Sequence, residues 1–128
     1  MPTERQPYYF IEKLLNVLIV DDNQSIKSLV SEILYPIRLF NIIEVSKMNE
    51  AEEILSSPKR IHLCIYDLGI VDKNNDELYL LKKYSTRIAF LIFTGCSSPA
   101  KGFAAREHGA KALIEKTSNL DSMGFVKT

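Results

Sequence analysis

NVLIVDDNQSIKSLVSEIL, residues 16–34, is the stretch whose reading decides the fold. Its first half holds VLIV at 17–20, a continuous apolar run closed by Asp21 and Asp22. Its second half places Ile26, Leu29, Val30, Ile33 and Leu34 at i, i+3, i+4, i+7 and i+8. A strand that is apolar at every position must be covered on both faces, as in a parallel sheet. The stripe that follows is one side of an amphipathic helix. That helix is expected to stop near Tyr35, because Pro36 disfavours helical geometry at the residue before it. A buried strand feeding such a helix is the repeating half of an α/β domain.

The alternation continues on the carboxyl side. Apolar runs recur as NIIEV (41–45), HLCIY (62–66), AFLIF (89–93) and ALI (112–114). Ala51, Ile54 and Leu55 mark a short second helix closed by Ser56, Ser57 and Pro58, and Leu78, Leu81 and Tyr84 mark a third. Ala100, Phe103 and Ala104 mark a fourth, introduced by Ser97, Ser98 and Pro99 and stopped by Gly109. A last helix is expected from about Ser118 to Val126, weakened by Gly124. Five strands alternating with about five helices imply right-handed crossovers and a doubly wound parallel sheet with helices on both faces. On the amino side, residues 1–15 form an extension to a domain spanning 16–128. Tyr8, Tyr9, Phe10, Ile11, Leu14 and Leu15 make it too apolar for an idle tail, and it is expected to pack on the domain.

Composition narrows the class. A chain of 128 residues fits one domain and buries about two-thirds of its unfolded surface. With 46% hydrophobic residues and 16 acidic side chains balancing 16 basic ones, it lacks the signature of disorder. Zero formal charge leaves no footprint for direct binding to nucleic acid or anionic lipid. The apolar runs are too short to span a membrane, and residues 1–16 lack a signal core, so a cytoplasmic location is expected. Cys64 and Cys96, without a CxxC, suggest neither a zinc site nor a disulfide framework, and Cys64 reads as core. No partner spacing makes a ligand or catalytic base of His62 or His108.

Open parallel sheets bind ligands at the carboxyl ends of their strands. Asp21 and Asp22 follow the first apolar run, Asp67 the third, Thr94 and Gly95 the fourth, and Lys116 comes just beyond the fifth. With strand order 2-1-3-4-5, the two aspartates of the first loop, Asp67, Thr94 and Lys116 converge on one crevice. Each alone has an ordinary explanation, since Asp is a common cap and turn residue. Together, three carboxylates repel each other and call for a cation. Mg²⁺ suits such a site, keeping waters and phosphate oxygens among its ligands. An ammonium and a hydroxyl opposite it complete a phosphoryl-binding site. The chain contains neither G-x-x-x-x-G-K-[ST] nor G-x-G-x-x-G, and no G-x-S-x-G elbow.

NVLIVDDNQSIKSLVSEIL, LCIYDL, LIFTG and GAKALIEK, in that order over roughly residues 16–127, resemble the receiver domain of two-component response regulators of the chemotaxis-regulator type, a flavodoxin-like fold. The resemblance implies that Asp67 accepts a phosphoryl group from a histidine kinase or a histidine phosphotransfer protein. It implies that Asp21, Asp22, Asp67 and the backbone carbonyl of Gly69 hold Mg²⁺. Thr94 would bond the phosphoryl group and Lys116 would pair with it, while Gly95 leaves room for the donor and Gly69 and Cys96 influence dephosphorylation. The chain would then be a signalling module rather than an enzyme, acting through a downstream protein. A homodimer is compatible with this role, and DNA-binding or enzymatic output would lie elsewhere.

The sequence departs from the family in four places. Thr117 stands where a proline usually follows the lysine, and Leu113 occupies the usual aromatic switch position. The loop after Asp67, LGIVDKNND, lacks the customary Pro and Gly and adds Asp72 and Asp76, read as solvated. Twelve residues follow Lys116, which implies a short last helix. Two other readings follow: a receiver-like interaction module without a phosphorylation switch, and a metal-dependent phosphohydrolase with Asp67 as nucleophile. The hydrolase reading lacks a second carboxylate two positions after the nucleophile, where Gly69 stands.

Overall fold

The computed structural model describes residues 14–71, 74, 76–95 and 99–116. Five strands are present: β1 Leu15–Val20, β2 Phe40–Val45, β3 Leu63–Asp67, β4 Ala89–Thr94 and β5 Ala112–Glu115. They form one parallel sheet in the order β2-β1-β3-β4-β5, the order expected from the sequence. Among the described residues the helices are α1 Gln24–Leu34, α2 Met48–Leu55, α3 Tyr79–Tyr84 and α4 Pro99–Glu107. The last expected helix, most of the amino-terminal extension, Asp72, Cys96 and Thr117 lie outside the described residues. β1 begins at Leu15, at the end of the expected extension, and the Leu15 N–H donates to the Leu39 carbonyl at 3.0 Å.

Alternation along the strands divides the core in two. Leu18, Val20, Cys64, Tyr66, Phe90 and Ile92 face one side, packed against Met48, Ala51 and Leu55 of α2 and Leu80, Leu81 and Tyr84 of α3. Val17, Ile19, Ile65 and Phe93 face the other and meet Val30, Ile26 and Leu34 of α1. Strands with cover on both sides explain the unbroken apolar runs, and each large side chain buried contributes about 1.5–3 kcal/mol.

The helix boundaries have local causes. Asn23 caps α1, its side-chain oxygen accepting from the N–H groups of Ser25 at 2.8 Å and Ile26 at 3.2 Å. At the far end the α-helix stops at Leu34, close to where it was expected to, but Tyr35 keeps helical dihedrals (φ −57°, ψ −46°) ahead of Pro36. The chain passes through a single 3₁₀ turn, Tyr35–Ile37, and leaves it at Arg38, whose φ is +63°. The Glu50 carboxylate accepts from the N–H groups of Ser46 and Lys47, closing the start of α2. α4 is stopped at Gly109, whose φ of +106° favours glycine.

His62 and Cys64 play structural parts. His62 Nδ1 accepts the Asn16 N–H at 2.9 Å, tying the entry of β3 to β1. Cys64 is fully buried, which pushes its thiol far above the usual range.

Candidate functional site

Parallel pairing in this order brings the carboxyl ends of β1, β3, β4 and β5 to one edge of the sheet. Asp21 follows β1 and is 2% exposed; its Oδ1 accepts the Asn23 N–H at 2.9 Å, so the bond that orients the carboxylate also leads into the α1 cap. Asp22 beside it is exposed. Asp67 ends β3, is buried, and its Oδ1 accepts the Gly69 N–H at 3.0 Å. One oxygen from each of Asp21, Asp22 and Asp67 lies within 4.8 Å of the others.

Lys116 crosses this acidic group. Its Nζ lies 2.7 Å from Asp21 Oδ2 and 3.3 Å from Asp67 Oδ2. Asp21 Oδ2 is buried and has this ion pair without an aligned hydrogen bond. The Lys116 N–H donates to the Thr94 carbonyl at 2.7 Å, so Thr94, buried at the end of β4, and Lys116, just past β5, are held on one ladder bond. Lys116 is therefore held by backbone pairing as well as by its ion pairs.

Burial holds the Asp21 carboxyl above its usual range, against the opposing pull of Lys116 and the Asn23 N–H; the Asp67 charge adds to the rise. Three carboxylates and one ammonium leave a net deficit of positive charge, and the buried, unaligned Asp21 Oδ2 is a hard oxygen turned toward the group. These donors fit a divalent cation that prefers oxygen ligands.

Of the site residues anticipated from the sequence, Asp21, Asp22, Asp67, Gly69, Thr94, Gly95 and Lys116 are all at this edge. A Cβ built on Gly69 would come within 3.4 Å of Asp67 Oδ2, so the absent side chain keeps the carboxylate uncovered. Among the described residues a Cβ on Gly95 would meet Lys116 Cδ, at 3.9 Å, an ordinary van der Waals contact. An open groove of about 860 Å³ runs alongside, lined by Asp22, Ser46, Lys47, Gly69, Asn74 and Tyr79 among others. Asp76 does not join the site. It caps the turn before α3, accepting the Leu78 N–H at 2.9 Å and pairing with Lys82 at 3.2 Å.

Two groups near the site have no counterpart in the sequence reading. Lys27 is buried on α1 and donates to Ser46 Oγ in the β2–α2 connection. Tyr66, one residue before Asp67, is fully buried, with its hydroxyl 2.8 Å from the carbonyls of both Ile70 and Glu77. Lys27 interrupts an apolar helical stripe, a visible signal; Tyr66 sits in an apolar run and gives none.

No family model matches the chain, and no curated protein matches it. Solved structures do. The chain is 24% identical, at a TM-score of 0.71, to a CheY-like response regulator receiver domain protein from Methanospirillum hungatei, over 89% of this chain and 91% of that one. It is 19% identical, at a TM-score of 0.76, to the phosphorylated cyanobacterial phytochrome response regulator RcpA, over 88% of each chain. It is 22% identical, at a TM-score of 0.70, to a response regulator from Burkholderia pseudomallei that carries a phosphorylated aspartic acid, a calcium ion and citrate. That match covers 85% of this chain and 64% of the Burkholderia chain. Strand order, helix placement and these neighbours agree: the chain has the fold of response-regulator receiver domains.

Proposed function

We propose that residues 16–128 form a phosphoacceptor receiver domain of a two-component or phosphorelay system, with Asp67 taking a phosphoryl group from a histidine kinase or a histidine phosphotransfer protein. The observation that carries this reading is the meeting of Asp21, Asp22 and Asp67 within 4.8 Å under the Lys116 ammonium. An oxygen of Asp67 forms a bond to phosphorus as the bond from phosphorus to the donor's imidazole nitrogen breaks. The imidazole departs neutral, its other nitrogen carrying the proton. The product is an acyl phosphate, an activated covalent adduct. Lys116 and Thr94 would meet the new phosphoryl oxygens, and the bare backbone at Gly69 would leave the donor room to approach. Asp21, Asp22, Asp67 and the Gly69 carbonyl would hold Mg²⁺, which when bound supplies positive charge to the transferring group. Signalling then proceeds by conformational change and protein contact, with no nucleic acid or membrane involved.

The test is intact-protein mass spectrometry after incubation with acetyl phosphate, with and without Mg²⁺, on the wild type and Asp67→Asn. A single phosphoryl addition that requires both Mg²⁺ and Asp67 is expected. Equal incorporation into Asp67→Asn would remove Asp67 from its role. No addition, together with no response to beryllofluoride, would favour an interaction module without the switch. Leu113 in place of an aromatic motivates that second reading: it lies against the α4 backbone, 2.8 Å from where a Gly102 Cβ would stand. Steady turnover of a small phosphoester would instead point to a hydrolase.

A further inference from the structure

The loop leaving Asp67 is fastened at both ends by the residue before it. Tyr66 is fully buried, its ring edge-on to Phe90 at 6.4 Å and 82°. Its hydroxyl reaches the Ile70 carbonyl at 2.8 Å, near the start of the loop, and the Glu77 carbonyl at 2.8 Å, just before α3. A phenol has one proton, so the two carbonyls share a single donor.

Residue 70 is thus anchored twice. Its N–H donates to the Asp67 carbonyl at 3.2 Å and its carbonyl accepts from Tyr66. The Gly69–Ile70 peptide is planar and trans, so its C=O points opposite to its N–H. Fixing the Ile70 N–H therefore fixes the direction of the Gly69 carbonyl, and the Tyr66 bond keeps residue 70 from rotating. Gly69 has no side chain to do this itself and is exposed.

We propose that Tyr66 is a positioning residue for the metal site: through the Ile70 carbonyl it helps aim the Gly69 carbonyl, and through the Glu77 carbonyl it ties the approach to α3 to the end of β3. This rests on the reading of Asp21, Asp22, Asp67 and Gly69 as cation ligands. A ligand that must find its orientation at each binding event costs affinity; one already held does not. Removing the phenol should leave the three carboxylates in place and release the carbonyl.

The experiment is Mg²⁺ titration calorimetry on the full chain, comparing wild type, Tyr66→Phe and Tyr84→Phe, with hydrogen exchange at the Ile70, Leu78 and Tyr79 amides. Tyr84 is the control, a second core tyrosine whose hydroxyl lies 3.4 Å from Glu52, away from the loop. Tyr66→Phe is expected to bind Mg²⁺ about two- to tenfold more weakly, the worth of one hydrogen bond. The amides of Ile70, Leu78 and Tyr79 should exchange faster, while Tyr84→Phe matches the wild type in both readings. Wild-type affinity in Tyr66→Phe would overturn the inference, as would an equal loss in Tyr84→Phe, which would mark a general core effect. A wild type that binds no Mg²⁺ would overturn the metal site itself, an outcome distinct from either.

Discussion

Asp21 carries the clearest tension in the molecule. It is buried beside Asp67, and burial holds its carboxyl above the usual value of 3.8 even with Lys116 at 2.7 Å. A folded-state pKa above the unfolded one means that the folded state binds the proton more tightly. The related stability is fully present below the unfolded pKa and is lost as pH rises through the folded one. Asp21→Asn is therefore expected to melt above the wild type at pH 7, with the difference vanishing at pH values below 3.8; thermal unfolding across that range checks it. A variant less stable at pH 7 would mean the Lys116 pair outweighs burial. The residues of the candidate site were legible in the sequence because each follows an apolar run, where a parallel sheet exposes its carboxyl ends. Tyr66 was not, because LCIYD reads as one buried strand. The destination of its hydroxyl depends on the path of a loop that local pattern does not specify.

The same division holds for elements. Strands and helices follow from apolar periodicity and from stop signals such as Gly109, and among the described residues each was legible to within a few residues. The contacts between elements were not. Gly109 signals a helix stop, but only the structure shows that a Cβ there would sit 2.7 Å from Ser85 Oγ, just past α3. Ser85 in turn donates to the His108 carbonyl at 2.9 Å, joining the ends of α3 and α4. Gly109→Ala meets both an unfavourable φ of +106° and this close contact. It is expected to cost about 2 kcal/mol, measured by urea unfolding. Loss of less than half that would show that the α4 end relaxes. Glu52 braces the neighbouring pair, meeting Lys83 at 2.5 Å and the Tyr79 hydroxyl at 2.8 Å. Lys83 holds the Glu52 carboxyl below its usual range. Yet Lys83 is half exposed, so the pair orients α3 on α2 more than it stabilises it.

At the scale of the whole molecule, both cores lie below the sheet edge that carries the charges. A ligand that binds only the folded state raises its stability by mass action, about 2.7 kcal/mol at a hundredfold excess over Kd. Mg²⁺ is therefore expected to raise the melting temperature of the wild type and to have a smaller effect on Asp67→Asn; a scanning calorimetry series in Mg²⁺ checks both. An equal rise in the two proteins would place the ion away from Asp67. The doubly wound class was legible from the alternation of strands and helices, and the strand order from the family resemblance, whereas Leu113 beside Gly102 was not, since that fit depends on how α4 packs on β5. The main-chain bond from Lys116 to Thr94 makes a yoke of β4 and β5. A hydroxyl-bearing residue and an ammonium hang from one rung, so a displacement of either pulls on both, and the outer strand is tied to Asp67 through the ion pair of the lysine just beyond it.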